Sequence, residues 1–106
     1  ILQDKAYYVL GKLDTNDVQA LHPSLSRKHA LLYNSNDGVL LFDMGSKAGT
    51  TLDGERLEPW VPEVIDSHGS IVLGASSRSY GVVVDRTIVI RKLKEKQRVP
   101  IIHLNQ

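Results

Sequence analysis

The sequence has no cysteine and only one tryptophan, one phenylalanine and one methionine among its 106 residues. Without cysteine, the chain can hold neither a disulfide scaffold nor a thiolate metal site. No apolar run approaches the roughly 20 residues that a membrane-spanning helix needs. An Asn-x-Ser/Thr acceptor for N-glycosylation is also missing, which favours an intracellular protein over a secreted one.

Sequence motifs for catalysis and for cofactor binding are missing as well. There is no Gly-x-Ser-x-Gly elbow, no Gly-x-x-x-x-Gly-Lys loop and no His-x-x-x-His pair. The four histidines, His22, His29, His68 and His103, are scattered without the spacing of metal ligands. Most carboxylates fall in predicted turns, where they favour the turn conformation. We therefore expect a protein that is not an enzyme and that uses no cofactor and no metal.

The composition itself is that of one folded domain. Hydrophobic residues make up 42% of the chain and charged residues 24%, which is typical of a globular protein. A chain of 106 residues is long enough for a single hydrophobic core. Because it begins with Ile1 rather than methionine, we expect it to be a fragment of a longer protein.

The net charge of +1 conceals an asymmetry along the chain. Residues 1–85 carry seven basic and eleven acidic side chains, a balance of −4, whereas residues 86–106 carry six basic and one acidic, a balance of +5. Four of the seven cations in the first part are Lys12, Arg27, Lys28 and Lys47. Where these four meet in space matters more for binding than the total charge does.

Short apolar runs separated by Gly, Pro, Asn, Asp and Ser predict an all-β protein. The predicted strands are residues 6–11, 17–20, 29–34, 39–44, 50–52, 55–57, 63–65, 70–74 and 80–85. Asn36-Asp37-Gly38 and Asp53-Gly54 predict two hairpins, since Asp-Gly tolerates positive φ at both turn positions. No window shows a helical period. The pattern predicts an antiparallel β-sandwich or barrel.

Residues 86–106 predict a basic C-terminal extension that follows the domain of residues 1–85. Its β-branched stretch TIVIRKL (87–93) predicts a last strand. The KEKQR stretch that follows is too charged to be buried, and Pro100 would interrupt the hydrogen bonds of a sheet. We therefore expect a projecting tail that is attached to the domain by the apolar residues VPII (99–102). The basic run 91–98 is either a nuclear-import or nucleic-acid patch or, more commonly, a solvated linker.

Three separated segments carry the candidate binding residues. Gly11-Lys12 ends a predicted strand, Ser26-Arg27-Lys28-His29 precedes another, and FDMGSKAGTTLDG (42–54) carries Asp43, Ser46, Lys47, Gly49 and Thr50. Taken alone, residues 26–28 would more often be a solvated turn than half of a pocket for a dianion. Taken together, the spacing of the three segments resembles the forkhead-associated (FHA) domain family. The resemblance covers nearly all of residues 1–85, and the stretch 56–80 is similar to its nuclear, phosphatase-regulating branch.

The resemblance implies a β-sandwich of about eleven short strands that binds phosphothreonine peptides through loops at one end. A phosphothreonine brings a charge near −2 and three strong acceptors, so its donors must be fixed in place. The implied peptide-binding residues are Lys12, Ser26, Arg27, Lys47 and Ala48. The implied structural supports of the site are Gly11, His29, Gly49 and Thr50.

The resemblance also implies individual roles. The Ser26 hydroxyl and a neighbouring amide would bond the phosphate, and Arg27 would reach the phosphate or the adjacent peptide backbone. His29 would hold the loop without touching the ligand. Two positions depart from the family pattern: Lys12 replaces the usual arginine and so loses the planar bidentate fork, and Ala48 replaces a common asparagine.

The resemblance further implies a partner with phosphorylated Thr-Pro sites, such as a splicing or chromatin factor, and a monomeric nuclear module with no membrane contact. Two other functions stay open. One is an FHA-fold scaffold whose phosphate site has decayed and which binds through a sheet face. The other is an RNA-associated protein that uses the basic tail for electrostatic contact.

Overall fold

The computed structural model describes residues 2–3, 6–35, 38–76, 79–85 and 101–105. These residues form eleven strands and no helix, and thus no helix able to cross a bilayer. The strands are β1 (Leu2–Gln3), β2 (Tyr7–Gly11), β3 (Val18–Gln19), β4 (Ala30–Ser35), β5 (Gly38–Asp43), β6 (Thr50–Leu52), β7 (Glu55–Arg56), β8 (Glu63–Ile65), β9 (His68–Leu73), β10 (Ser79–Asp85) and β11 (Ile101–Asn105).

The strands form two sheets that pack face to face. One has six strands in the order β1-β11-β10-β9-β6-β7, and the other has five in the order β3-β2-β4-β5-β8. Alternate side chains of each strand point between the sheets, where Leu10, Leu32 and Leu41 of one sheet and Ile71 and Leu73 of the other are fully buried. The predicted all-β sandwich is confirmed.

The predicted strands and hairpins agree with the observed ones to within two residues. All nine predicted strands occur, two of them, β6 and β8, with the predicted bounds. In the β4–β5 hairpin, Ser35 and Gly38 are the paired residues next to the turn. The β6–β7 hairpin turns at Asp53 and Gly54, whose φ values of 51° and 86° are the positive pair that a two-residue hairpin turn requires.

The C-terminal strand β11 lies within residues 86–106, for which a last strand and a tail held by residues 99–102 were expected. It pairs in parallel with both β10 and β1, and its Ile102 and Leu104 are buried. Pro100, which was expected to interrupt a ladder, lies outside the described residues. A third parallel pair joins β2 and β3, so the sandwich is mostly rather than wholly antiparallel. The predicted strand 87–93 and the charged stretch 94–98 lie outside the described residues.

The outer face of the five-stranded sheet is unusually apolar. Tyr7, Tyr33, Leu40 and Val64 stand in one row across β2, β4, β5 and β8, and both tyrosines and Val64 are exposed. The solvated face of an antiparallel sheet normally carries polar side chains. The outer face of this sheet therefore presents a row of aromatic and aliphatic side chains to the surface.

Candidate functional site

The segments predicted to carry the site meet at one end of the sandwich. The segment after β2 runs beside the segment before β4, because Lys12 N–H donates to Ser26 O at 3.1 Å and Leu13 N–H donates to Arg27 O at 3.3 Å. The side-chain amide of Asn16 donates to the same Arg27 oxygen at 2.7 Å. These bonds set Lys12 next to Ser26 and Arg27.

Gly11 permits this close approach. A Cβ at position 11 would lie 2.3 Å from Arg27 O and 2.9 Å from the Asn16 side-chain nitrogen. The nearest atom belongs to the backbone and cannot rotate away as a side chain can. Any residue larger than glycine would therefore push the Ser26–Arg27 segment away from Lys12.

His29 joins two of the converging loops and is completely buried. Its Nδ1 accepts from Ser26 N–H at 3.0 Å, and its Nε2 lies 2.6 Å from Gly49 O. Since a carbonyl oxygen only accepts, the ring proton is on Nε2 and the Nδ1 lone pair faces Ser26. The imidazole thus connects the loop of Ser26 to the loop that ends at Gly49.

The loop between β5 and β6 is built around the carboxylate of Asp43, which is only 1% exposed. Oδ1 accepts from the hydroxyls of Ser46 at 2.5 Å and Thr50 at 2.7 Å, and Oδ2 accepts from Ser46 N–H at 3.1 Å. Ser46 Oγ in turn accepts from Gly49 N–H at 3.0 Å. A buried charge is tolerated when it is hydrogen-bonded in this way. The loop is therefore held from inside and leaves Lys47 exposed.

Gly49 ends this loop in a left-handed conformation, with φ of 86°. The Arg56 guanidinium lies directly over it, 2.6 Å from where a Cβ would stand. Gly49 O also accepts from Gly74 N–H at 2.8 Å. This bond connects the turn after β9 to the site, and Gly74 lies beside Ala48 and Ser24. The Ser24 hydroxyl also accepts a hydrogen bond from Ala75 N–H at 3.0 Å.

The converging loops enclose a groove of about 550 Å³, which we call the basic groove. It is lined by Lys12, Pro23, Ser24, Leu25, Ser26, Arg27, Lys28 and Lys47. Among the residues that the structure describes, the lining contains four cations and no carboxylate, although residues 1–85 as a whole are acidic. Such a surface attracts an anion and offers it ammonium, guanidinium and hydroxyl donors.

The structure brings four of the five predicted peptide-binding residues, Lys12, Ser26, Arg27 and Lys47, to the lining of the basic groove. The fifth, Ala48, lies outside that lining and packs beside Gly74. The four predicted supports, Gly11, His29, Gly49 and Thr50, are all buried.

The sequence reasoning missed three contributors to this end of the molecule: Asn16, Arg56 and the turn at Gly74. Gly74 is the last residue of the predicted strand 70–74, whereas β9 ends at Leu73, and a glycine in that position was the available signal for a turn.

These loops and this sandwich define a known class of interaction domain. The family model of the FHA domain matches residues 8–74, well over half of the sequence, and the chain belongs to the FHA domain family. FHA domains bind phosphothreonine-containing peptides and are non-catalytic interaction modules. The family resemblance stated from the three segments is confirmed.

Individual proteins give a more specific likeness than the family as a whole does. The chain is 40% identical over 83 residues to the human nuclear inhibitor of protein phosphatase 1, covering 76% of this chain and 24% of that protein. An Arabidopsis thaliana protein phosphatase 1 regulatory inhibitor subunit homologue is 32% identical over 79 residues, with 73% and 21% covered. The chain thus spans about a quarter of the length of these relatives. The narrower resemblance to phosphatase regulators is also confirmed.

Among solved structures, the N-terminal FHA domain of S. cerevisiae Rad53p in complex with a phosphothreonine peptide is similar to this chain. The TM-score is 0.61 at 25% sequence identity, covering 66% of this chain and 57% of that one. The fold is therefore shared with an FHA domain whose structure includes the phosphorylated ligand.

Proposed function

We propose that this domain binds a phosphothreonine-containing segment of a partner protein and so mediates a phosphorylation-dependent interaction. The observation that carries the proposal is the basic groove, in which Lys12, Arg27, Lys28 and Lys47 meet around the Ser26 hydroxyl. An acidic body has no reason of solubility to gather its cations at one place. A group with a charge near −2 and three acceptor oxygens is matched to these donors.

Each groove residue has a proposed role. The Ser26 hydroxyl donates to a phosphate oxygen. Because Ser26 N–H already donates to His29, the neighbouring amides of Arg27 and Lys28 are the backbone donors that we assign to the phosphate. The side chains of Arg27, Lys12 and Lys47 balance its charge. Threonine is favoured over serine because its methyl group can lie against the apolar part of the lining, Pro23 and Leu25.

The two departures from the family pattern weaken the binding without removing it. Lys12 supplies charge but not the bidentate geometry of an arginine, and Ala48 cannot supply the amide of an asparagine. A hydrogen bond to a charged group contributes about 1.5–3 kcal/mol. Losing one therefore lowers affinity about ten- to hundredfold, and the remaining donors still bind the phosphate.

The narrower assignment is that the ligand is a Thr-Pro site, phosphorylated by a proline-directed kinase, on a splicing or chromatin protein in the nucleus. The likeness to proteins named nuclear inhibitor of protein phosphatase 1 supports it. In this assignment residues 1–85 form a monomeric, non-catalytic FHA domain without membrane contact, and residues 86–106 form a basic extension whose strand β11 pairs with β1 and β10 of that domain. Nucleic acid would contact only that extension.

Fluorescence anisotropy tests the proposal. A labelled Thr-Pro peptide in its bare, phosphothreonine and phosphoserine forms is titrated with wild type, Ser26→Ala and Arg27→Ala. Ser70→Ala is the matched control, since Ser70 is an exposed serine on β9 that pairs with the Asp53 turn at the opposite end of β6. We expect tight binding of the phosphothreonine form alone, weakened at least tenfold by either groove variant and unchanged in Ser70→Ala.

Two other results would replace the proposal. Equal binding of the phosphorylated and bare peptides would indicate a scaffold with a decayed phosphate site, for which the Tyr7–Tyr33–Leu40–Val64 row is the available surface. Binding to oligonucleotides that falls steeply with salt and is lost on deleting residues 91–98 would indicate an RNA-associated protein.

A further inference from the structure

Trp60 is the only tryptophan of the chain, and it lies on the surface with 56% of its area exposed. Its φ of 62° is in the left-handed region, which a bulky residue rarely adopts. Pro59 and Pro62 flank it closely and restrict the backbone on both sides. A large apolar side chain is therefore fixed in an exposed position at a conformational cost, and such strain clusters at functional sites.

The backbone of Trp60 is hydrogen-bonded to Asp43, the residue that organises the loop carrying Lys47. The backbone N–H of Trp60 donates to the backbone oxygen of Asp43 at 2.8 Å, and Pro59 forms a β-bridge with Asp43. The indole lies over Gly45, because a Cβ there would be 3.4 Å from the indole nitrogen. Asp43 thus holds the Lys47 loop through its carboxylate and Trp60 through its carbonyl.

The stretch of sequence around Trp60 is acidic, in contrast to the basic groove. Residues 53–66 carry five carboxylates and one cation, Arg56, a balance of −4. The Arg56 guanidinium lies against Gly49. Glu58 and Glu63, two residues before and three residues after Trp60, are exposed. An exposed indole face attracts a guanidinium by cation–π interaction, and the net negative charge of residues 53–66 adds to that attraction.

We propose that Trp60, with Glu58 and Glu63, forms a subsite for an arginine side chain of the same phosphorylated segment that enters the basic groove. The inference rests on the proposed function. Gly45 and Lys47 are two residues apart, so their Cα atoms lie within about 7.6 Å. An extended peptide advances about 3.3–3.6 Å per residue, so this separation corresponds to about two residues. Because the arginine and lysine side chains are long, we place the arginine two to four residues from the phosphothreonine.

The test uses a set of phosphothreonine-Pro peptides, each with a single arginine. The arginine is placed two, three or four residues before or after the phosphothreonine. Matched peptides carry citrulline, which has the same shape without the charge, or alanine. Binding to wild type, Trp60→Ala, Trp60→Phe and the double variant Glu58→Gln/Glu63→Gln is measured by anisotropy. Tyr7→Ala is the control for removing an exposed aromatic, since Tyr7 is 58% exposed on β2.

At one or more of these positions we expect arginine to bind wild type about three- to tenfold more tightly than citrulline. The advantage disappears in Trp60→Ala, persists in part in Trp60→Phe, weakens in the double variant and is intact in Tyr7→Ala. The fluorescence of Trp60, the sole indole, changes more with the arginine peptide than with the alanine peptide. Thermal unfolding of Trp60→Ala shows that the variant is folded.

An arginine advantage that survives in Trp60→Ala would overturn the subsite, because it would then reflect general attraction to the acidic body. Phosphorylation-dependent binding with no arginine advantage at any tested position would overturn the subsite and leave the proposed function standing. Equal binding of bare and phosphorylated peptides would remove both.

Discussion

The Nε2–H of His29 donates to the carbonyl oxygen of Gly49 at 2.6 Å, so one buried imidazole connects loops that are 20 residues apart in sequence. The opposite ring nitrogen accepts from Ser26 N–H. Gly49 O also accepts from Gly74 N–H. Three of the loops at the binding end therefore meet at this ring and this carbonyl, and the shape of the basic groove depends on residues that do not line it.

Replacing His29 by alanine should weaken both the fold and the binding. The variant leaves a cavity, and Ser26 N–H loses its buried acceptor. We expect a loss of about 2–4 kcal/mol in the free energy of unfolding, measured by urea denaturation. Phosphopeptide affinity should also fall under conditions where the variant is folded. His68→Ala is the control, because His68 is exposed; equal stability of the two variants would contradict the role given to His29.

Replacing Gly11 by alanine should separate Lys12 from the Ser26–Arg27 segment. The new methyl group would stand 2.3 Å from the backbone oxygen of Arg27, and overpacking of this kind costs about 1–3 kcal/mol. We expect lower thermal stability and at least tenfold weaker binding of a phosphothreonine peptide.

Gly69→Ala is the matched control for Gly11→Ala. There the new methyl group would meet the side-chain tip of Leu52 at 2.9 Å, which can move aside. A smaller effect on stability and no effect on the phosphate contacts are expected. Similar losses of affinity in the two variants would show that the close approach at Gly11 is not what positions Lys12.

The features that could be predicted from the sequence are those that depend on local chemistry. The turn at Asp53-Gly54 requires two positive φ values, and only a few residue types tolerate them, so its hairpin was predictable. Strand β11 was not, because its partners β1 and β10 are remote in sequence and the pairing is parallel. Its Ile102 and Leu104 alternate inward, but the charged KEKQR stretch and Pro100 just before it favoured a tail over a strand.

The site could be predicted only in part for a similar reason. The spacing of three motif segments identified Lys12, Ser26, Arg27 and Lys47 as residues of one surface. The contacts that join those segments, such as Asn16 to Arg27 O and Gly74 to Gly49 O, depend on where loops pass each other in space. Likewise, nothing in the sequence around Trp60 shows that it is tied to Asp43.

Replacing Lys12 by arginine should strengthen phosphopeptide binding. Lys12 is exposed and lines the basic groove, so the longer side chain has room. A guanidinium can form two parallel hydrogen bonds with a phosphate where an ammonium acts as a point charge. We expect about three- to tenfold tighter binding of the phosphothreonine peptide by isothermal titration calorimetry, equivalent to about 0.7–1.4 kcal/mol. Lys28→Arg is the control for a general gain from guanidinium.

A gain of equal size with the bare peptide, or in Lys28→Arg, would show that Lys12 holds no special place beside the phosphate. A loss of affinity in Lys12→Arg would show that the groove is adapted to the smaller ammonium group.

Replacing Asp43 by asparagine should disturb the Lys47 loop and Trp60 together. The carboxylate accepts three hydrogen bonds, two from Ser46 and one from Thr50, and a carboxamide has one acceptor atom fewer. A hydrogen bond to a buried charged group is worth about 1.5–3 kcal/mol, and we expect a destabilisation of that order by chemical denaturation.

The fluorescence of the single tryptophan gives the second measurement on Asp43→Asn, since Trp60 N–H donates to the backbone of the same residue. We expect a change in its emission and weaker binding of the phosphothreonine peptide in parallel. Asp53→Asn is the control, because Asp53 is exposed and its carboxylate accepts from Ser70 N–H at the other end of β6. Weakened peptide binding with unchanged Trp60 emission would separate the two elements and would show that Asp43 organises the Lys47 loop alone.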